Sequence, residues 1–170
     1  MKQLILAAVA ALSLAAGASA AEPLPPAAVY TDPAPTPGHP ARMEVLHIPT
    51  AGGLKINGVE YVAGGEGPHP TLVLLHGWPG NEKNLDLAQA VRRAGWNVVT
   101  FNYRGAWGSP GTFDFVGNID DAKAVLAFVR DPANAKVVQA DPGRLVIAGH
   151  SMGGWITALT AADDPALHGA

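Results

Sequence analysis

Cysteine does not occur anywhere in the 170 residues. Disulfides, thiolate metal sites and a lipid anchor on an N-terminal cysteine are therefore excluded, and the redox compartment stays open. Charged side chains are also scarce, at 15%, and the 11 basic residues set against 14 acidic ones form no cluster. A nucleic-acid partner needs a basic patch, so none is expected. Neither a phosphate-binding loop nor a dinucleotide fingerprint is present, and no cofactor is expected. His39, His47, His69, His76, His150 and His168 lack metal-ligand spacing, and no metal is expected either. The apolar run from Leu4 to Ala16 falls short of the roughly 20 residues of a membrane-spanning helix.

What the chain does contain begins with an address. Lys2, the Leu4–Ala16 run and the small residues Ala18-Ser19-Ala20 read as a secretory signal peptide over residues 1–20. Cleavage after Ala20 implies export to the periplasm or beyond the cell, with no stable membrane anchor. Residues 21–42 are rich in Pro, Ala, Thr and Gly, a composition that predicts an extended, exposed tether unable to form a packed element. One domain is expected over residues 43–170.

Within it, Glu44–Ile48 and, more weakly, Leu54–Val62 read as strands, with Asn57-Gly58 a hairpin turn or a bulge inside the second. Thr71–Leu75 and Leu145–Ala148 are apolar without alternation, the pattern of strands buried on both faces. Asn97–Tyr103 reads as a further strand, rich in Val, Thr and aromatics. Helices are predicted after each. Asn84 is the expected N-cap of the first, with Arg92 and Arg93 at its negative end and Gly95 closing it. Ile119, Ala122, Val125, Leu126 and Val129 recur at helical spacing behind Asp120 and Asp121, and Pro132 stops that helix. Asp141-Pro142-Gly143 reads as a turn, and Met152–Ala162 as the last helix. The alternation predicts a mostly parallel sheet with helices on both faces.

Gly149-His150-Ser151-Met152-Gly153 lies at the junction of the last strand and helix. A serine hydroxyl is a weak nucleophile until it is presented to its target and a base takes its proton. Gly-x-Ser-x-Gly achieves the presentation by a sharp strand-to-helix turn, with two glycines admitting close backbone contacts. Ser151 is the candidate nucleophile, and the Met152 backbone N–H is the first expected oxyanion donor. The second is the Trp78 backbone N–H, in the His76-Gly77-Trp78-Pro79-Gly80 loop after the first buried strand. His76 and His150 read as structural neighbours of these loops. Arg104, Trp107 and Asp114 read as packing residues, Arg104 tied to backbone carbonyls and Trp107 packed over its loop. Trp155 is expected in the core.

Residues 43–170 resemble the N-terminal half of an α/β-hydrolase, an incomplete α/β-hydrolase fold. Leu75-His76-Gly77-Trp78-Pro79-Gly80, Asn102-Tyr103-Arg104-Gly105 and Gly149-His150-Ser151-Met152-Gly153-Gly154 occur in that family's order. Met-Gly-Gly after the serine is similar to esterases, lipases and thioesterases. The Tyr103–Ser109 stretch is similar to prolyl-oligopeptidase-like sequences. The resemblance implies acyl transfer from a small-molecule ester, or alternatively a peptide, through an acyl-enzyme intermediate. It also implies a triad acid and base on loops after later strands. His168 does not supply the base. The helix beyond Ser151 ends roughly 16 Å away, whereas a base must lie within about 3 Å. Asp163 and Asp164 fail on the same ground. Expressed alone, these residues are expected to be poorly soluble, with the Leu145–Ala148 strand as a bare edge. They are also expected to hydrolyse esters no faster than Ser151→Ala. A non-catalytic remnant that binds a partner through that edge is the alternative of a different class.

Overall fold

A computed structural model describes residues 26–170; the expected signal peptide and the first residues of the tether lie outside the described residues. Five strands form one sheet: β1 (Arg42–Pro49), β2 (Lys55–Val62), β3 (His69–Leu75), β4 (Asn97–Phe101) and β5 (Ala140–Gly149). Their spatial order is β1-β2-β4-β3-β5. β1 and β2 pair antiparallel, as do β2 and β4, whereas β3 pairs parallel with both β4 and β5. The parallel part is therefore the part whose strands read as continuous apolar runs.

That reading has a direct physical cause, because β3 is covered twice. Val73 and Leu75 face a cluster with α2 (Gly117–Arg130), α3 (Pro132–Val138) and α4 (Met152–Ala162), through Val125, Leu126, Val138 and Ile156. Leu72 and Leu74 face the other way, with Val98, onto Ala88 of α1 (Leu85–Arg93). Strands buried on both faces have no polar side to alternate with.

Several local expectations are corrected. Asn57-Gly58 forms neither a turn nor a bulge: the β1–β2 register runs unbroken from Arg42 opposite Val62 to Pro49 opposite Lys55. Gly58 serves instead as a close-contact point, since a Cβ there would stand 2.9 Å from the Thr100 carbonyl oxygen of β4. Pro132 ends α2 and also opens α3, a helix the sequence did not predict. Asp131 caps α3 by accepting from the amides of Ala133 (2.9 Å) and Asn134 (3.2 Å), and proline is well suited to a first helical turn. Asp141-Pro142-Gly143 lies inside β5 as a register irregularity between the His69 and Thr71 pairings. Asn84 occupies the N-cap position of α1 in a left-handed conformation, φ 53°, and makes no side-chain cap bond. The third strand stops at Phe101 rather than Tyr103, because the Asn102 amide turns to the Asn57 carbonyl at 2.9 Å.

The tether is exposed but not free. Its Ala27–Val29 turn lies against α1, where Arg93 donates to the Val29 carbonyl (3.1 Å), and Arg92 and Arg93 both pair with Asp32. The two arginines placed by sequence at a helix end thus hold the preceding segment, and they keep the Asp32 carboxyl below its ordinary range. β5 lies at the edge of the sheet, as expected, yet its outer side is partly covered. The Ile147 amide donates to the Gly169 carbonyl (3.1 Å) and the His168 amide to the Leu145 carbonyl (2.8 Å).

Candidate active site

β5 ends at Gly149 and α4 begins at Met152, so the chain must reverse within two residues. Ser151 takes the strain of that reversal, with φ 57° and ψ −121°, a region that side chains other than glycine rarely occupy. The flanking glycines make it feasible. A Cβ on Gly149 would stand 2.4 Å from the Gly153 carbonyl, and one on Gly153 would stand 2.3 Å from the Leu75 carbonyl oxygen. The His150 amide fastens the turn to β3 by donating to Leu75 O at 3.2 Å.

The result is an exposed Ser151 at the N-terminal end of α4, its hydroxyl hydrogen-bonded to none of the described residues. The first amides of a helix carry partial positive charge and favour an anion there. A second backbone segment closes on the same point. Gly77 packs so tightly that a Cβ on it would lie 3.0 Å from the Ser151 Cβ and 3.2 Å from the His150 carbonyl oxygen. Among the described residues, no hydrogen bond engages the amide of Trp78 or of Met152. The structure thus sets Gly77, the residue before Trp78, against Ser151, and Met152 follows Ser151 as the first residue of α4.

The remaining candidates sort by their contacts. His76 is buried, with Nδ1 2.7 Å from the neighbouring Gly77 carbonyl and its ring edge-on to Tyr103 at 4.7 Å. Burial lowers its pKa, so the ring is a neutral structural element with Nδ1–H as donor. His150 and His168 are exposed. Asp163 pairs with Lys123 (2.7 Å), and Asp164 with Arg130 (2.5 Å). Asp114 accepts from the Gly117 amide at 2.7 Å and so caps α2.

Two readings need correction. Arg104 does not hold backbone carbonyls. Its Nη2 lies 2.7 Å from Oδ1 of Asp121, a fully buried carboxylate that also accepts from the Arg104 amide at 2.8 Å. The sequence placed Asp121 at a helix start by charge, and only the fold pairs it with a loop. Trp155 is not core but 44% exposed. The buried stripe of α4 runs through Met152, Ile156 and Thr160, and position 155 lies beside it. Tyr103, Lys83 and Asn118 were missed. Asn118 is fully buried beneath the turn, with Nδ2 4.0 Å from the Met152 sulfur. Its place within an amphipathic helix gave no signal of that role.

Comparison with known proteins agrees with this fold. The family model described as the alpha/beta hydrolase family matches residues 72–169. An uncharacterized protein of Salmonella typhimurium, YfhR, is 33% identical over 108 residues, covering 63% of this chain and 32% of that protein. The chain therefore spans about a third of that relative's length. A hyperthermophilic esterase from the archaeon Pyrobaculum calidifontis superposes with a TM-score of 0.62 at 26% identity, over 74% of this chain and 41% of the esterase. A serine hydrolase homologue from Coxiella burnetii gives a TM-score of 0.57 at 28% identity, over 73% and 58% of the two chains.

Proposed function

The chain belongs to the alpha/beta hydrolase family, and we propose that it carries the nucleophile and oxyanion site of an exported serine hydrolase acting on carboxylic esters or related acyl bonds. The observation that carries this reading is the strained Ser151 turn with Gly77 pressed against it. In the reaction, the Ser151 oxygen attacks the acyl carbon while a base removes its proton. The Trp78 and Met152 amides hold the negative oxygen of the tetrahedral intermediate. Collapse breaks the bond to the alcohol, which leaves with the proton, and an acyl-serine remains. Water then attacks the same carbon, the carboxylic acid departs and the serine hydroxyl is restored.

The base and its orienting acid belong, in this proposal, to residues outside the 170-residue chain, on loops after later strands. The esterase among the structural neighbours supports an ester substrate. The peptidase alternative rests on the Tyr103–Ser109 resemblance alone, and the Arg104–Asp121 pair within that region does not distinguish the two substrates.

The test uses the protein encoded by the whole reading frame that contains this chain. Hydrolysis of p-nitrophenyl esters and labelling by a fluorophosphonate should both depend on Ser151, with Ser151→Ala lowering kcat by about 10³-fold or more. The 170 residues alone should show no rate above their own Ser151→Ala form. Turnover by the longer protein that survives Ser151→Ala overturns the proposal, and absence of both turnover and Ser151 labelling leaves a non-catalytic binding role.

A further inference from the structure

The oxyanion-donor loop is held from outside by a loop to which the proposed chemistry gives no task. Residues 102–109 follow β4, and two of their side chains reach across to the carbonyls that bracket Gly77 and Trp78. The Tyr103 hydroxyl donates to the His76 carbonyl at 3.2 Å, and the Trp107 indole Nε1 donates to the Pro79 carbonyl at 2.6 Å. The proposed donor amide of Trp78 therefore sits on a short span pinned at both ends.

The pinning loop is itself rigidly built. Asn57 of β2 accepts from the Asn102 amide (2.9 Å), donates its own amide to Ser109 Oγ (2.9 Å) and donates Nδ2 to the Gly108 carbonyl (2.8 Å). Lys83 donates to Asn102 Oδ1 at 2.6 Å and stands 5.2 Å from the centre of the Trp107 ring. Trp107 has φ 47° between two positive-φ glycines, Gly105 and Gly108. A bulky residue in that region marks a backbone held against its own preference, a recurrent sign of function. Nor is the indole placed there to escape water, because Trp107 remains 54% exposed. Gly80 completes the fit: a Cβ on it would lie 2.5 Å from Trp107 Nε1 and 2.8 Å from His76 Cε1.

We propose that Trp107 is a positioning residue, whose indole N–H fixes the Trp78 amide in the orientation that stabilises the oxyanion. The inference rests on the serine-hydrolase reading above. A donor contributes to rate only where it meets the charge that develops in the transition state, and small misplacement is costly. Loss of the indole bond should leave substrate binding alone and weaken the chemical step.

The experiment compares a carboxylic ester with its thionoester in the protein from the whole reading frame. A thiocarbonyl sulfur accepts hydrogen bonds poorly, so its hydrolysis draws little on the amide donors. Trp107→Phe should lower kcat on the ester by about 10–30-fold with KM within about twofold, and change the thionoester rate by less than about threefold. Replacing Trp107 with 3-benzothienylalanine, which keeps the bicyclic shape without the N–H, should give the same loss. Full ester kcat in the benzothienyl protein, or equal losses on both substrates, overturns the proposal. If Ser151→Ala is inactive while both Trp107 replacements keep the parent kcat, the positioning role alone is wrong. If Ser151→Ala hydrolyses as fast as the parent, the Ser151-nucleophile reading fails and this inference goes with it.

Discussion

Ser151, at the rim of the sheet, and Glu60, in its middle, carry unpaired polar groups in opposite settings, one exposed and one fully buried. At the end where β3, β4 and β5 finish, the Ser151 hydroxyl has no partner among the described residues and belongs to an exposed residue, and its neighbours are fixed by hydrogen bonds. Midway along the sheet, Glu60 of β2, paired with Val99 at the centre of β4, is fully buried and neither carboxylate oxygen has a partner. Burial pushes its pKa up to about 8, the Glu44 charge across the β1–β2 pairing adds to the rise, and Arg42 opposes it. An exposed unpaired group at a strained turn is a reactive site in waiting. A buried one is a cost to the fold, reduced when the group takes up a proton.

The comparison is most sharply tested where the functional end stores its stability. Asp121→Ala would strand the largely covered Arg104 without its carboxylate, at about 3–5 kcal/mol in urea unfolding. A loss below about 1 kcal/mol would show that the ion pair is replaceable and that the loop is held by other means. Gly153→Ala comes next, at about 2–3 kcal/mol, because the added carbon meets β3 backbone, which cannot swing aside. Gly95→Ala is its contrast: φ there is positive at 93°, unlike at the helical Gly153, but nothing lies within 4 Å, so only conformational strain of about 1 kcal/mol is expected. Equal losses at the two glycines would mean that crowding at the serine turn is not what matters.

In the middle of the sheet the test is one of pH. A carboxyl whose folded pKa is raised binds its proton more tightly in the native state. Its stabilisation is complete below the unfolded value of 4.5 and is lost progressively as pH rises to about 8. The unfolding free energy should therefore fall across that window. Glu60→Gln should flatten the fall and raise stability at pH 8 by about 1–3 kcal/mol. An unchanged slope would show that Glu60 is solvated or paired in solution. The exposed Asp32 and the half-buried Asp141 and Asp164 act in the opposite sense. Their arginine partners lower their pKa values, so what they contribute is lost as pH falls through those values, outside the Glu60 window.

How far the sequence disclosed all this depended on the range of the forces involved. β3 and β5 were legible because burial on both faces leaves an apolar run that needs no partner to be recognised. The Ser151 turn was legible because its glycines are required locally, at fixed spacing from the serine. Asn57-Gly58 misled because its turn-forming chemistry is used for something distant: Asn57 anchors the 102–109 loop and Gly58 admits a β4 carbonyl. The tether misled for a related reason, since its docking depends on arginines that follow it by some sixty residues. Arg104 was assigned to carbonyls because its true partner lies on the far side of a loop, in a helix that the sequence reads only as amphipathic.

The smallest effect bears on how the two clamps of the oxyanion-donor loop differ. Tyr103 is fully buried, edge-on to Phe101 at 5.1 Å, and burial holds its phenol well above the usual range, so it acts only as a neutral donor. Tyr103→Phe keeps the ring and leaves the His76 carbonyl short of one donor, at about 0.5–1.5 kcal/mol in urea unfolding. Trp107→Phe breaks a bond on a half-exposed side chain and should cost less than about 0.5 kcal/mol. Amide exchange across residues 77–80 should nevertheless rise in both variants, because each frees one end of the same span. If exchange rises only for Tyr103→Phe, the loop is kept in place by its buried anchor, and the indole bond is an ornament of the surface.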